Sequence, residues 1–393
     1  MKRASEIFFI FCFMTFLVLG FVMTLARPME IYSFYENRNL AQPPTIDEEG
    51  LLSGKYFAEL EKSLADRAAA RNTLLKIRTW LDIEIFHRPV VNEVVMGNGI
   101  LLPYLPPEAV DFENLSRKAE LLTENLKKLT NLVASYGGKY YYVAVPCQYA
   151  YYTEKYPGYL NNRAKYTAFS ISALEECLAR EKINFIDIGR TFDSLGHNDS
   201  FSSVTDNHYS IYGAFIVYQT IMQTIITDTG KSLSVLTEEN STVTQLENPY
   251  LGSRNRKLFD LSSISEPLYI ITPNEPVPFV RMNYGDIAAA TVYSLPVNKT
   301  ETATYGVYMG GDISNTIIET NRSNLPTILV YGDSFTNAVE CILYYSFNEM
   351  HSLDLRYYSE MSLSEYIRIL KPDIVVCIRD YEALLATEGN GGI

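Results

Sequence analysis

The sequence predicts an α/β fold in which helices cover both faces of a mainly parallel sheet. Three observations predict it. Short, largely apolar runs at 140–145, 183–188, 327–331, 352–355 and 373–378 read as buried strands. Runs with helical spacing at 111–135, 167–181, 212–226, 336–345 and 362–370 read as helices. The two kinds alternate, and parallel neighbours need crossover helices between them.

The chain of 393 residues is 47% hydrophobic and 20% charged. A mostly disordered chain has fewer apolar residues and more charge, so that class is excluded. With 33 Lys and Arg against 46 Asp and Glu, the formal net charge is −13. A general nucleic-acid binder needs a basic face, so that class is excluded too. There are 30 Tyr and one Trp. Such a balance reads either as a Tyr-rich surface suited to sugars or as composition bias. Cys12, Cys147, Cys177, Cys341 and Cys377 are scattered without a C-x-x-C pair, so neither a disulfide framework nor a zinc site is expected.

Taken in order, the chain begins with an uncharged run at 7–25 behind Lys2 and Arg3. As a helix it reaches about 28 Å, close to the hydrocarbon thickness of a bilayer. Positive charge before the run places the N-terminus in the cytoplasm and the rest of the chain across the membrane. Residues 1–27 are therefore expected to be an uncleaved anchor, the alternative being a signal peptide cut near 24–26. Residues 28–53, with Glu36-Asn37-Arg38 and Pro43-Pro44, read as an extended stalk, and 54–393 as the α/β domain. Helical spacing recurs within 54–86, and Met96-Gly97-Asn98-Gly99-Ile100 marks a hairpin over 94–102. Residues 230–325 break the rhythm. They are rich in Ser, Thr, Asn and Pro, with β-prone pieces at 268–271 and 290–293, and read as an insertion of irregular and β structure.

Two constellations carry chemistry. In Tyr331-Gly332-Asp333-Ser334-Phe335 an apolar strand meets a helix. A Ser there sits at the carboxyl end of a parallel strand, where such sheets bind ligands, and at a helix N-terminus able to stabilise an oxyanion. The plain alternative is a βα turn in which Asp333 or Ser334 caps the helix. In Thr205-Asp206-Asn207-His208-Tyr209 a carboxylate stands two residues before one of only four His. A serine nucleophile needs a general base, and the base needs an acceptor to hold its tautomer. The plain alternative has Asp206 capping the next helix and His208 on the surface. Together the two place Ser334, His208 and Asp206 at one rim of the sheet. Gly310-Gly311-Asp312 allows close backbone approach, so Gly311 or Asp312 could lend an N–H to an oxyanion hole. Asn337, one helical turn after Ser334, could donate a side-chain N–H. Arg356 could hold an anionic or sugar group, or serve in a salt bridge. Asp206, His208 and Asp333 lack the spacing of a three-ligand site, so no metal and no cofactor is expected.

At these residues the chain resembles the DHHW proteins of Gram-positive bacteria, relatives of SGNH-fold O-acetyltransferase proteins that act on alginate. The likeness runs through Glu36–Ala41, Leu64-Ala65-Asp66-Arg67 with Arg71, Thr205–Tyr209, Tyr308–Asp312, Asp333-Ser334-Phe335-Thr336-Asn337 and Asp354–Tyr358. It implies a three-layer α/β/α SGNH-hydrolase-like sandwich with Ser334 as nucleophile and His208 and Asp206 as its partners. The chain departs from the pattern at Asn207 for His, Tyr209 for Trp and Asp312 for Asn, and Pro146-Cys147-Gln148 lacks the usual Lys. An ionised Asp312 side chain only accepts hydrogen bonds, so it cannot act as a neutral oxyanion donor.

The resemblance and the residues together lead to an expected function: a serine-dependent O-acetyltransferase or esterase outside the cytoplasm. A cell-surface polysaccharide is the expected acceptor, and the related systems imply a multi-spanning membrane acyltransferase as acetyl donor. The alternative is a membrane-anchored carbohydrate-binding or scaffold protein with a vestigial triad.

Overall fold

The computed structural model describes residues 2–386, 389 and 390. The chain forms two compact units, one of residues up to Met96 with Ser253–Ser263, the other of Gly97–Gly252 with the chain from Ile264 onward.

In the first unit a helix spans Lys2–Ala26, and its Ser5–Ala26 stretch is long and apolar enough to cross a membrane. Residues 28–53 are not simply extended. Tyr32–Ser33 pairs with Arg38–Asn39, and a short helix covers Glu48–Ser53. Asp66 explains this fold-back. Its carboxylate takes Arg38 Nη1 and Nη2 at 2.9 and 2.6 Å and the Ala41 N–H at 2.9 Å. Arg71 joins through Glu36 at 2.6 Å. Helices follow over Lys55–Arg67 and Arg71–Trp80.

The second unit holds an eight-stranded sheet. Its strands are β1 (Lys139–Val145), β2 (Asn184–Asp187), β3 (Val280–Asn283), β4 (Asp286–Ala288), β5 (Asn315–Glu319), β6 (Thr327–Gly332), β7 (Glu349–Asp354) and β8 (Ile374–Asp380). Their spatial order is β4-β3-β5-β7-β6-β8-β1-β2. The five strands from β7 to β2 are parallel, and β4, β3 and β5 extend them in antiparallel fashion. The sheet is thus mixed rather than mainly parallel. Residues 230–325 make the difference, because the β structure expected there supplies three strands to this same sheet.

The helices are α1 (Phe112–Ala134), α2 (Ala164–Arg180), α3 (Ile211–Thr229), α4 (Thr336–Leu343) and α5 (Leu363–Leu370). Helix α1 packs on α2 and α5, whereas α3 packs on α4. The crossover β6-α4-β7 moves one way along the sheet and β7-α5-β8 moves back. Right-handed crossovers then place α4 and α5 on opposite faces.

Much of the Tyr excess lies inside this unit. Tyr140, Tyr141, Tyr142, Tyr209, Tyr308 and Tyr331 are fully buried. Their hydroxyls are paired, as Tyr140 with Tyr331 at 2.7 Å and Tyr141 with Asp228 at 2.7 Å. A buried Tyr usually finds a partner for its O–H, which lets the ring sit in the core. These rings are core, not a sugar-facing surface.

Register aligns the carboxyl ends of the parallel strands. Gly332 stands opposite Asp354 and Ile378, Asp380 opposite Val145, and Ala144 opposite Asp187. That edge is where a doubly wound sheet places its ligand.

Candidate active site

Strand β6 is buried along its last five residues and ends at Gly332. A Cβ on Gly332 would lie 2.1 Å from the Ile378 carbonyl oxygen, so only Gly lets β6 and β8 meet here. The chain then turns through Asp333 and Ser334 into α4. The Asp333 carboxylate accepts the Phe335 N–H at 2.9 Å, and its other oxygen lies 3.3 Å from Arg379 of β8. Asp380, next along β8, is buried. Burial first, and the Asp333 charge second, push its carboxyl well above the usual carboxylate range. Ser334 itself is half-buried, open enough to be reached.

The other half of the site comes from the loop before α3. Ser210 caps that helix through the Tyr212 and Gly213 N–H groups at 3.1 and 3.2 Å. Asp206 is therefore not the cap. The Asp206 carboxylate lies 2.6 Å from His208 Nδ1, and His208 Nε2 lies 2.8 Å from Ser334 Oγ. A carboxylate only accepts, so Nδ1 carries the proton and donates to Asp206. Nε2 is left to accept the Ser334 hydroxyl proton, which is the orientation a general base needs. The structure thus brings together Ser334, His208 and Asp206, three residues drawn from two distant segments. Tyr209 O–H donates to the Phe335 carbonyl and ties the two segments beside the contact.

Two further residues hold the base, and both come from residues 230–325. The Tyr305 ring stacks on the His208 ring at 3.7 Å between centroids and 5° between planes. Glu266 receives the Val204 and Thr205 N–H groups at 3.1 and 2.8 Å, and the Thr205 hydroxyl at 2.5 Å. The Ser203 hydroxyl also donates to Glu266, and Ser203 Oγ in turn accepts the Asp206 N–H at 2.8 Å. Burial raises the Glu266 carboxyl, opposed by the Ser203 and Thr205 donors. In sequence, Glu266 stands in an aperiodic stretch and Tyr305 is one Tyr among thirty, so neither gave a signal. Gln148 stands where the resembled pattern has its Lys. Its side chain donates to the Ser203 carbonyl at 3.0 Å and its N–H to the Asn207 carbonyl at 2.9 Å.

The expected oxyanion residues lie close by. Gly310 and Gly311 both take positive φ, at 84° and 91°. The Gly311 N–H donates to the Tyr308 carbonyl at 3.0 Å, which commits it to its own turn. Asn337 Nδ2 donates to Asp312 Oδ1 at 3.2 Å, and Arg356 reaches Asp312 at 3.1 Å. Arg356 also grips Asp354 at 2.6 Å, so two carboxylates share its guanidinium. Burial lowers the Arg356 pKa and these partners raise it, with a net rise. Of the expected oxyanion groups, the Gly311 N–H is thus taken by its own turn and the Asn337 amide spends one N–H on Asp312.

No family model and no curated protein matches the sequence. Solved structures do match. PatB1 of Bacillus cereus superposes with a TM-score of 0.61 at 21% identity, over 74% of this chain and 96% of that one. The same protein with a sulfonyl adduct gives 0.60 at 20% identity, over 74% and 97%. A DHHW family protein from Eubacterium siraeum gives 0.58 at 18% identity, over 77% and 95%. The fold is shared with a DHHW family protein.

Against that fold, two of the positions that depart from the DHHW pattern have local accounts. Tyr209 is buried and its hydroxyl is used on Phe335. Asp312 is exposed, and its charge is balanced by Arg356.

Proposed function

We propose that this chain is a serine-dependent O-acetyltransferase or esterase that acts on a polysaccharide outside the cytoplasm. The observation that carries the reading is the hydrogen-bonded run from Asp206 through His208 to Ser334, at 2.6 and 2.8 Å. It places a nucleophile, a base and the base's orienting acceptor in the order that acyl transfer requires.

Ser334 Oγ attacks the carbonyl carbon of an acetyl ester while its proton passes to His208 Nε2. Asp206 holds the imidazolium that forms. The carbonyl oxygen takes the negative charge and faces the Ser334 N–H and the Asn337 amide. His208 then gives its proton to the departing alkoxide, which leaves an acetyl ester on Ser334. A sugar hydroxyl, or water in the esterase, loses its proton to His208 and attacks that ester. The acetylated product departs and Ser334 regains its proton. On this reading the N-terminal helix is an uncleaved anchor, the sheet domain lies outside the cytoplasm, and a multi-spanning membrane acyltransferase supplies the acetyl group. The likeness to DHHW proteins and their O-acetyltransferase relatives supports acetyl as the group transferred.

The test is labelling of the full chain by an aryl sulfonyl fluoride, together with release of phenol from an aryl acetate. PatB1 carries a sulfonyl adduct in one of its structures. Labelling and turnover in the wild type, both lost in Ser334→Ala, are the expected results. Turnover that persists in Ser334→Ala overturns the reading. The Asp312 carboxylate on Asn337 favours a second reading, a carbohydrate-binding or scaffold protein. Polysaccharide binding with no labelling of Ser334 would select it.

A further inference from the structure

The first unit exposes apolar side chains in a concentrated stretch. Leu74, Ile77 and Trp80 are 60%, 50% and 45% exposed, and Ile85 and Phe86 follow at 54% and 59%. Leu74, Ile77, Leu81 and Ile85 recur at helical spacing, so they share one face of the run that starts at Arg71. Ile77 and Trp80, with Tyr35, Lys76, Phe259 and Leu261, line a shallow, mostly apolar groove of about 430 Å³. A monomer in water rarely leaves such a face uncovered.

Two observations indicate what covers it. The first is position. Arg67 donates to the Leu25 carbonyl at 2.7 Å and to the Arg27 carbonyl at 2.6 Å, and the Ala69 N–H donates to Thr24 Oγ1 at 3.1 Å. These bonds pin the start of the exposed run to the last turn of the helix that is apolar enough to cross a membrane. From Arg71 to Trp80 the helix then extends only about 14 Å. The second is charge. Residues 55–88 hold seven Lys and Arg against five Asp and Glu, in a chain with 33 against 46. Arg78 and Arg88 are exposed cations that share the nearly buried Asp82 at 3.8 and 3.2 Å, and Arg88 lies 5.6 Å over the Phe86 ring. Cations beside Trp and Phe at the end of a span are the composition of an interfacial segment.

We propose that residues 71–86 lie on the bilayer that the N-terminal helix crosses, with Trp80 and Ile77 among the lipid chains and Lys76, Arg78 and Arg88 on anionic headgroups. The inference rests on the N-terminal helix spanning a membrane and is independent of the acyl-transfer reading.

Trp80 is the single Trp of the chain, so its fluorescence reports this site alone. The full chain is reconstituted in vesicles of phosphatidylcholine and phosphatidylglycerol, with or without bromine on the upper acyl chain. The expected result is blue-shifted emission that loses about half or more of its intensity to the brominated lipid, as for a ring at the bilayer interface. Leu74→Ser with Ile77→Ser should weaken that quenching while sulfonyl labelling stays as in the parent. Emission at the wavelength of a water-exposed indole, quenched by iodide and not by bromolipid, overturns the proposal. Blue-shifted emission untouched by bromolipid overturns it too, because a protein partner or a second copy would then cover the face.

Discussion

Ser334, His208 and Asp206 divide one task, so their substitutions should fail together. Ser334→Ala is expected to cut kcat by roughly 10³-fold or more, and adding His208→Ala should cost little further. Steady-state kinetics on an aryl acetate checks both. Glu266 acts one layer out, through the Ser203 hydroxyl that holds the Asp206 N–H. Every group facing it in that cage is a donor, so a carboxylate fits and an amide does not. Glu266→Gln should lower kcat by about tenfold to 10²-fold, the scale of a misplaced catalytic group, with KM held. An equal fall in Glu266→Gln and the folded Ser334→Ala would instead mean that the loop has collapsed. Asp312 sets the opposite expectation. Its carboxylate occupies an Asn337 N–H, and on the proposed mechanism its charge opposes the developing oxyanion. Asp312→Asn should raise kcat, by up to about tenfold, since one well-placed donor commonly carries more than that. A drop would show that the Arg356 ion pair matters more than the repulsion. The nucleophile and base were legible in the sequence because each stands at a strand end or helix start. Glu266 and Tyr305 were not, because their role is set by contacts across the fold and not by any local pattern.

The elements divide along the same line. Strands β1, β6 and β8 are buried over nearly their whole length, and their apolar runs read directly as central strands. The helices between them carry caps that the sequence displays, Asp111 for α1, Ser210 for α3 and Ser362 for α5. Strands β3, β4 and β5 have three to five residues and partly exposed faces. Their strand character comes from pairing with a neighbour, so composition gave 230–325 as irregular and β structure without locating these three strands. The β-prone piece at 290–293 shows the converse. It forms no strand, and Tyr293 makes only an isolated bridge with Tyr308. Strands β6 and β8 approach closely at Gly332, where an added Cβ would meet the Ile378 carbonyl oxygen at 2.1 Å. Gly332→Ala should therefore destabilise the second unit by about 1–3 kcal/mol, the usual cost of overpacking. Denaturant unfolding gives the number, and a shift below about 0.5 kcal/mol, the size of an ordinary surface change, would contradict the close approach.

For the whole molecule, the pairing of distant segments matters more than the length of either. Glu36-Asn37-Arg38 reads as a linker, yet it is bound to Asp66 and Arg71, some thirty residues on, by ion pairs that no periodicity announces. The Arg38 hydrogen bonds hold the Asp66 carboxyl down, from the usual 3.8 to about 2. A carboxyl whose folded pKa is depressed contributes stability above its unfolded pKa and loses it as pH falls toward the folded one. The fold-back of residues 32–41 should thus be intact above about pH 4 and loosen between about pH 4 and pH 2. The pairs are partly exposed, so each is worth at most about 1 kcal/mol, and the loss should be local rather than global. Hydrogen exchange of the 32–41 amides, corrected for the intrinsic rate, is the measurement. Protection at pH 5 that vanishes near pH 2 while α1 and β1 stay protected is the expected pattern. Asp66→Asn should show the low-pH pattern already at pH 5, because it keeps the shape and removes the charge that Arg38 and Arg71 share. If 32–41 exchanges freely at pH 5 in the wild type, the segment is a linker after all, and the ion pairs do not hold it to the helix.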